Sequence, residues 1–266
     1  MRRRVCYSFV VISSLPSSTR LFAVALGLPL LLAACQGRQA TPAPSLYSVS
    51  GTLTGLNPSA TTTAQVFTPW TGGAGTMQAV IGKSVLSTGT VDGSGSFSLT
   101  LPATLPDSDL NSFNTAKLDL GSAHCAGALI ISNQAALTAV VDFQLVTAAS
   151  SRFAAPIDVE VSVNADGSGQ STEVDTLLIY SDSVTTLSGQ QQCIENGSTL
   201  VSTYDINLKA GYNTINQTLV LKKNSGGTTN RTISFANGKS PPRWAAGPAS
   251  ATPLSLKTNS SKTLFH

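Results

Sequence analysis

The stretch Thr88–Pro102, TGTVDGSGSFSLTLP, decides the fold. Two short runs of β-formers flank Asp92-Gly93-Ser94-Gly95, a cluster of residues that turn the chain. Asp and Ser bond to nearby backbone, and Gly accepts backbone angles closed to other residues, so the cluster predicts a tight hairpin. After it, Phe97, Leu99 and Leu101 alternate with Ser98 and Thr100, which places apolar groups on one face of a strand and hydroxyls on the other.

The same alternation extends outward. Upstream, YSVSGTL puts Tyr47, Val49 and Leu53 on one face, and QVFTPW (65–70) and SVLSTGTV (84–91) follow between Gly, Pro and Asp. Downstream, LPATLPDSDLNSF (101–113) interrupts the pattern and predicts a linker with one short helical turn near Asp107–Phe113. Residues 135–145 are apolar enough to suggest a helix. Their odd positions, from Leu137 to Leu145, are all apolar and β-branched residues are frequent, which predicts a strand. PIDVEVSV (156–163) and EVDTLLIYSD (173–182) flank the turn NADGSGQST. STYDINLKAGYNTINQTLVLK (202–222) predicts a hairpin joined at Lys209-Ala210-Gly211, and TTNRTISF (228–235) closes the region. The expected fold is all-β, with antiparallel sandwich-like domains at 46–104 and 105–247 and a floppy tail at 248–266. Trp244 is expected to dock on the body.

Composition agrees. Only 11% of the 266 residues are charged, while Val, Ile and Thr are plentiful, which suits hydrogen-bonded strands better than disorder. The formal charge of +3 is set by the N-terminus. Arg2, Arg3, Arg4 and Arg20 precede Cys35 and no acidic residue does. Without those four, 12 of the 16 basic residues face 13 acidic ones, a net of −1. A near-neutral body offers no electrostatic case for nucleic acid.

The N-terminus reads as an export signal. Basic residues are followed by LFAVALGLPLLL (21–32) and then Ala33-Ala34-Cys35. The apolar run is too short for a spanning helix and contains Pro29. Leu32-Ala33-Ala34-Cys35 resembles a bacterial lipobox. The resemblance implies a signal peptide over 1–34, diacylglyceryl transfer to the Cys35 thiol, cleavage before it and acylation of the new amine. Such chains, palmitate among them, would hold the protein to membrane lipid. Gln36 in place of Asp implies sorting to the outer membrane. Pro42 and Pro44 keep residues 35–45 extended as a tether.

Two further resemblances concern the body. The opening VSGTLTG, with Asp92 and the Gly95-Ser96-Phe97-Ser98 hairpin, is similar to carboxypeptidase-regulatory-like (transthyretin-like) β-sandwich domains, which carry no catalytic residues over. Asp205, Leu208, Lys209, Gly211, Tyr212 and Asn213 fit a D-x-x-L-K-x-G-W/Y-N segment and resemble uncharacterised bacterial envelope lipoproteins.

Candidate chemistry is sparse. Cys125 and Cys193 are expected to form a disulfide, an even pair in an exported chain. His124 beside Cys125 does not make a nucleophile pair, because adjacent strand residues point to opposite faces. Asn164, Asp166, Ser168 and Asp175 loosely match a calcium loop, yet a plain hairpin turn explains the first three as well. The carboxylate pairs Asp107/Asp109, Asp158/Glu160 and Glu173/Asp175 are each spaced by two, as a strand-borne acid pair of a glycosidase would be and as a solvated face would be. Tyr47, Phe67 and Trp70 suit a sugar-binding surface or, better, core packing. No P-loop, dinucleotide fingerprint or CxxC occurs. The expectation is a non-enzymatic, cofactor-free envelope module whose partners are membrane lipid and cell-wall glycan or other envelope proteins. The alternatives are a glycan-acting hydrolase and a calcium-dependent adhesion module.

Overall fold

The computed structural model describes residues 46–57, 66–112, 125–195, 198–226, 229–239 and 243–247. The lipobox, the tether, His124 and the expected tail lie outside them. The strands are β1 (Tyr47–Leu56), β2 (Phe67–Thr68), β3 (Gly75–Ile81), β4 (Ser84–Val91), β5 (Ser96–Leu101), β6 (Asn111–Ser112), β7 (Cys125–Ile131), β8 (Leu137–Val146), β9 (Ser151–Val163), β10 (Gly169–Ser181), β11 (Thr185–Glu195), β12 (Ser198–Leu208), β13 (Gly211–Lys223), β14 (Thr229–Asn237) and β15 (Trp244–Ala246). The expected helical turn is a single 3-10 turn, Asp107–Asp109. The fold is all-β. The hydrogen-bonded order is β6-β8-β3-β4-β5-β1-β15-β9-β10-β13-β14-β12-β11-β7, with β2 paired to β1.

The sheet is mixed rather than wholly antiparallel, because β15 runs parallel to β1 and β14 parallel to β12. Strands from both sides of residue 104 pair directly, β3 with β8 and β1 with β15. One core combines Val49, Phe97 and Leu101 with Phe143, Leu145 and Trp244; a second gathers Leu187, Tyr204, Ile206, Ile215, Leu219 and Phe235. β8 and β10 serve both. Ala139, Val141, Leu178 and Tyr180 face the first core, while Val140 and Ile179 face the second. A strand buried on both faces carries an unbroken apolar run, which explains the helix-like look of residues 135–145.

The two DGSG tetrapeptides make the same turn in different phase. At Asp92–Ser96, Asp92 N donates to Ser96 O, Gly95 N donates to Asp92 O, and Gly95 takes φ +87°. At Asn164–Ser168, Asn164 N donates to Ser168 O, Gly167 N donates to Asn164 O, and Gly167 takes φ +77°. Each is a hairpin loop closed by a glycine in the left-handed region. The first tetrapeptide opens its turn with Asp92; the second supplies Asp166 to the middle of its turn.

The expected hairpin at 202–222 is corrected. Both strands exist, but β12 and β13 do not pair with each other. β14 enters between them, parallel to β12 and antiparallel to β13. The cause is local. Lys209 N donates to Asn213 Oδ1 (2.9 Å), and Asn213 Nδ2 donates to the Lys209 and Gly211 carbonyls (2.8 and 2.9 Å). The backbone groups that a hairpin partner would use at Lys209 are taken by one side chain. Gly211 turns the chain at φ +98°, and the strands diverge. At the far end Asn237 extends the β12–β14 ladder, accepting from Asn207 N (2.6 Å) and donating to Asn207 O (2.8 Å).

Trp244 docks, as expected. Its three-residue strand lies between β1 and β9, and the 5% exposed indole meets Phe97 and Phe143 edge-on at 4.9 and 5.0 Å.

Candidate functional site

The ladders β9-β10-β13-β14-β12-β11-β7 give a seven-strand surface whose two faces differ completely. Period-2 alternation sends one set of residues inward and the next outward. On the outer face the register runs Glu160–Thr172–Val220–Thr232–Val201–Gln192–Ala126, and beside it Asp158–Val174–Thr218–Ser234–Thr203–Gln190–Ala128. None of these fourteen residues is buried. Hydroxyls, side-chain amides and half-exposed valines cover the face, and its only charges in these two rows, Asp158 and Glu160, sit on β9 at one side. Hydroxyls and amides both donate and accept, so the face offers a grid of uncharged hydrogen-bonding groups.

The inner face is mainly apolar, with polar residues such as Ser202, Asn213 and Gln217 buried within it. Glu173 and Asp175 are 5% and 6% exposed and point inward from β10. Their spacing puts both carboxylates on one face, as the sequence implied, with Cα atoms about 7 Å apart. Asp175 lies in one register row with Ile157, Gln217, Phe235 and Tyr204. Tyr204 stacks on Phe235 at 4.9 Å, and burial pushes its phenol up to about 12, against a smaller opposing effect of the hydrogen bond with Ser202. This acid pair is shielded from solvent, so a polymer chain in the bulk does not reach it. The other two pairs are open: Asp107 and Asp109 sit on the 3-10 turn, and Asp158 and Glu160 lie on the outer face, with Arg243 4.0 Å from Asp158.

The calcium-like set is not brought together. Asn164, Asp166 and Ser168 share the β9–β10 turn, where Asp166 Oδ1 accepts from Ser168 N (2.9 Å) and Ser168 Oγ (2.6 Å), and Asn164 Nδ2 donates to Ser168 Oγ (2.9 Å). Asp175 lies six residues beyond Gly169 along β10, roughly 20 Å away at the rise of a strand. Among the described residues no three His, Cys, Asp or Glu side chains group as metal ligands do. The hydrogen bond from the Ser168 hydroxyl, then that from its backbone, holds the Asp166 carboxyl below its ordinary value.

The aromatics named from the sequence divide between cores. Tyr47 and Trp70 pack on the first, where Tyr47 meets Tyr212 at 5.0 Å, and Phe67 packs on a small third cluster under Arg243. The motif tyrosine, Tyr212, donates its hydroxyl to the Pro102 carbonyl at 2.9 Å. The register sets Cys193 directly opposite Cys125 on neighbouring strands. Residues that sequence reasoning passed over are Gln217 and Ser202. Their signal was a polar residue at an apolar position of an alternating strand, which alone looks like a weakened core. Compared with protein-family models, curated proteins and solved structures, the chain matches none of them.

Proposed function

We propose that this chain is a lipid-anchored β protein of the bacterial cell envelope, attached through Cys35, sorted to the outer membrane and acting by binding rather than by catalysis. The observation that carries the reading is Leu32-Ala33-Ala34-Cys35 directly after a short apolar run. The first described strand begins at Tyr47, so the tether of 35–45 separates anchor from fold. The hydroxyl- and amide-rich outer face of the seven-strand surface supports cell-wall glycan as the bound partner, since neutral polyols offer the same mixture of donors and acceptors. A Cys125–Cys193 disulfide belongs to the same exported reading. Directly opposed strand residues have Cα atoms about 4.5–5.5 Å apart, inside the 4.4–6.8 Å range of disulfides.

Mass spectrometry of the mature N-terminus from membrane fractions, beside a Cys35→Ser variant, tests the anchor. The expected result is a diacylglyceryl-modified Cys35 and a variant that leaves the membrane. An unmodified N-terminus elsewhere would overturn it. Co-sedimentation with purified sacculi tests the glycan, with Thr203→Lys and Thr218→Glu expected to weaken retention on the same material. Retention unchanged in both would remove the face from the proposal.

A further inference from the structure

The strands β8, β9 and β10 pair two by two around a triangle. β8 pairs with β10 over Thr138–Val141 and with β9 over Phe143–Val146, while β9 pairs with β10 from Ile157 onward. Asp142, Ala155 and Thr176 fall where these three ladders part. A small cavity of about 40 Å³ lies there, bordered by those residues together with Asp175 and Gln217.

Gln217 makes this cavity more than a packing gap. It is 2% exposed, and its buried Nε2 has no acceptor within hydrogen-bonding distance. Its cross-strand neighbour is Asp175. Buried amide donors in native proteins are almost always satisfied by protein or by ordered water. A cavity needs only about 10–15 Å³ of probe-occupied volume to hold a water.

We propose that the strand junction is a binding site for an internal water, which accepts a hydrogen bond from Gln217 Nε2 and donates one to the Asp175 carboxylate. A carboxylate offers about four acceptor positions, so this bond is compatible with the other interactions of Asp175. The occupant ties β10 to β13 at the point where β8 exchanges β10 for β9 as its partner.

A high-resolution crystal structure of the full mature chain, with water-to-amide cross-relaxation measured by NMR, tests the site. The expected result is a peak within hydrogen-bonding distance of both Gln217 Nε2 and Asp175, and a long-lived water contact to the Gln217 side-chain amide that is lost in Gln217→Met. A dry cavity, or a Gln217 amide donating to a protein oxygen, overturns the proposal. If Gln217→Met does not fold, the two measurements on the unmodified chain decide it alone.

Discussion

The indole of Trp244 occupies the space that a side chain on Gly51 would need. A β-carbon at Gly51 would lie 2.2 Å from Trp244 Cδ1 and 2.5 Å from Nε1. The contact joins β1 to β15, and Thr54 Oγ1 adds a 3.1 Å bond to the Trp244 carbonyl across 190 residues of chain. Gly51→Ala should therefore cost about 1–3 kcal/mol by overpacking. Trp244→Ala should cost about 3–5 kcal/mol by loss of the buried ring. Urea midpoints check both, and the double variant should cost less than the sum, because the alanine at 51 then enters emptied space. Strict additivity would show that the two residues do not meet.

The two matched turns predict unequal costs for equal substitutions. Gly95 and Gly167 both hold positive φ, so alanine at either meets backbone strain of about 1–2 kcal/mol. At Gly167 a β-carbon meets nothing within 4 Å, whereas at Gly95 it would lie 2.9 Å from Trp70 Cδ1 and 3.1 Å from Leu53 Cβ. Gly95→Ala should thus be more damaging than Gly167→Ala by roughly 1–2 kcal/mol. Thermal melts of the two variants compare them directly.

Asn213 replaces a hairpin partner with its own amide, and it is buried. Asn213→Ala leaves Lys209 N and O without those bonds, a loss of about 1–3 kcal/mol. Asn213→Asp keeps the acceptor for Lys209 N and loses the two donors. Its denaturant midpoint should fall below that of the unmodified chain.

Two tyrosines should titrate late. Burial pushes Tyr204 up to about 12, and burial with a further contribution from Tyr180 pushes Tyr212 up to about 12. The folded state favours the neutral phenols. Their contribution to stability is complete below the unfolded value near 10 and is lost as pH rises through about 12. Ultraviolet difference titration of the folded chain should show phenolate absorbance from these two only at that upper end, with stability declining above pH 10. The acid side runs the other way. Ser94 hydroxyl and Ser96 backbone bonds hold the Asp92 carboxyl below 3.8. Its contribution is present above that value and fades as pH falls through the lower, folded one, which carboxyl-carbon NMR can follow.

The proposed Cys125–Cys193 bridge would close a long loop, and the chain-entropy estimate for such a loop is about 4 kcal/mol. Intact mass before and after reduction and alkylation reads the bond. Cys193→Ser should lower the melting temperature of the oxidised protein and leave that of the reduced protein nearly unchanged.

Residue pattern alone was enough to determine the all-β class, many of the strands and the turn clusters, but it did not mark β3, β7 or β11 as strands. Alternation and turn chemistry act over a few residues, and Phe97, Leu99 and Leu101 carry their burial in their spacing. That Glu173 and Asp175 share one face was equally legible, while the burial of that face was not. Tertiary structure alone decided who pairs with whom: β14 between β12 and β13, β15 between β1 and β9, and β8 divided between two cores. Every strand offers the same backbone donors and acceptors, so a sequence can specify that a segment is a strand and which face is apolar without naming its neighbour. The neighbour is chosen by contacts far apart in the chain, such as the fit of the Trp244 indole over Gly51.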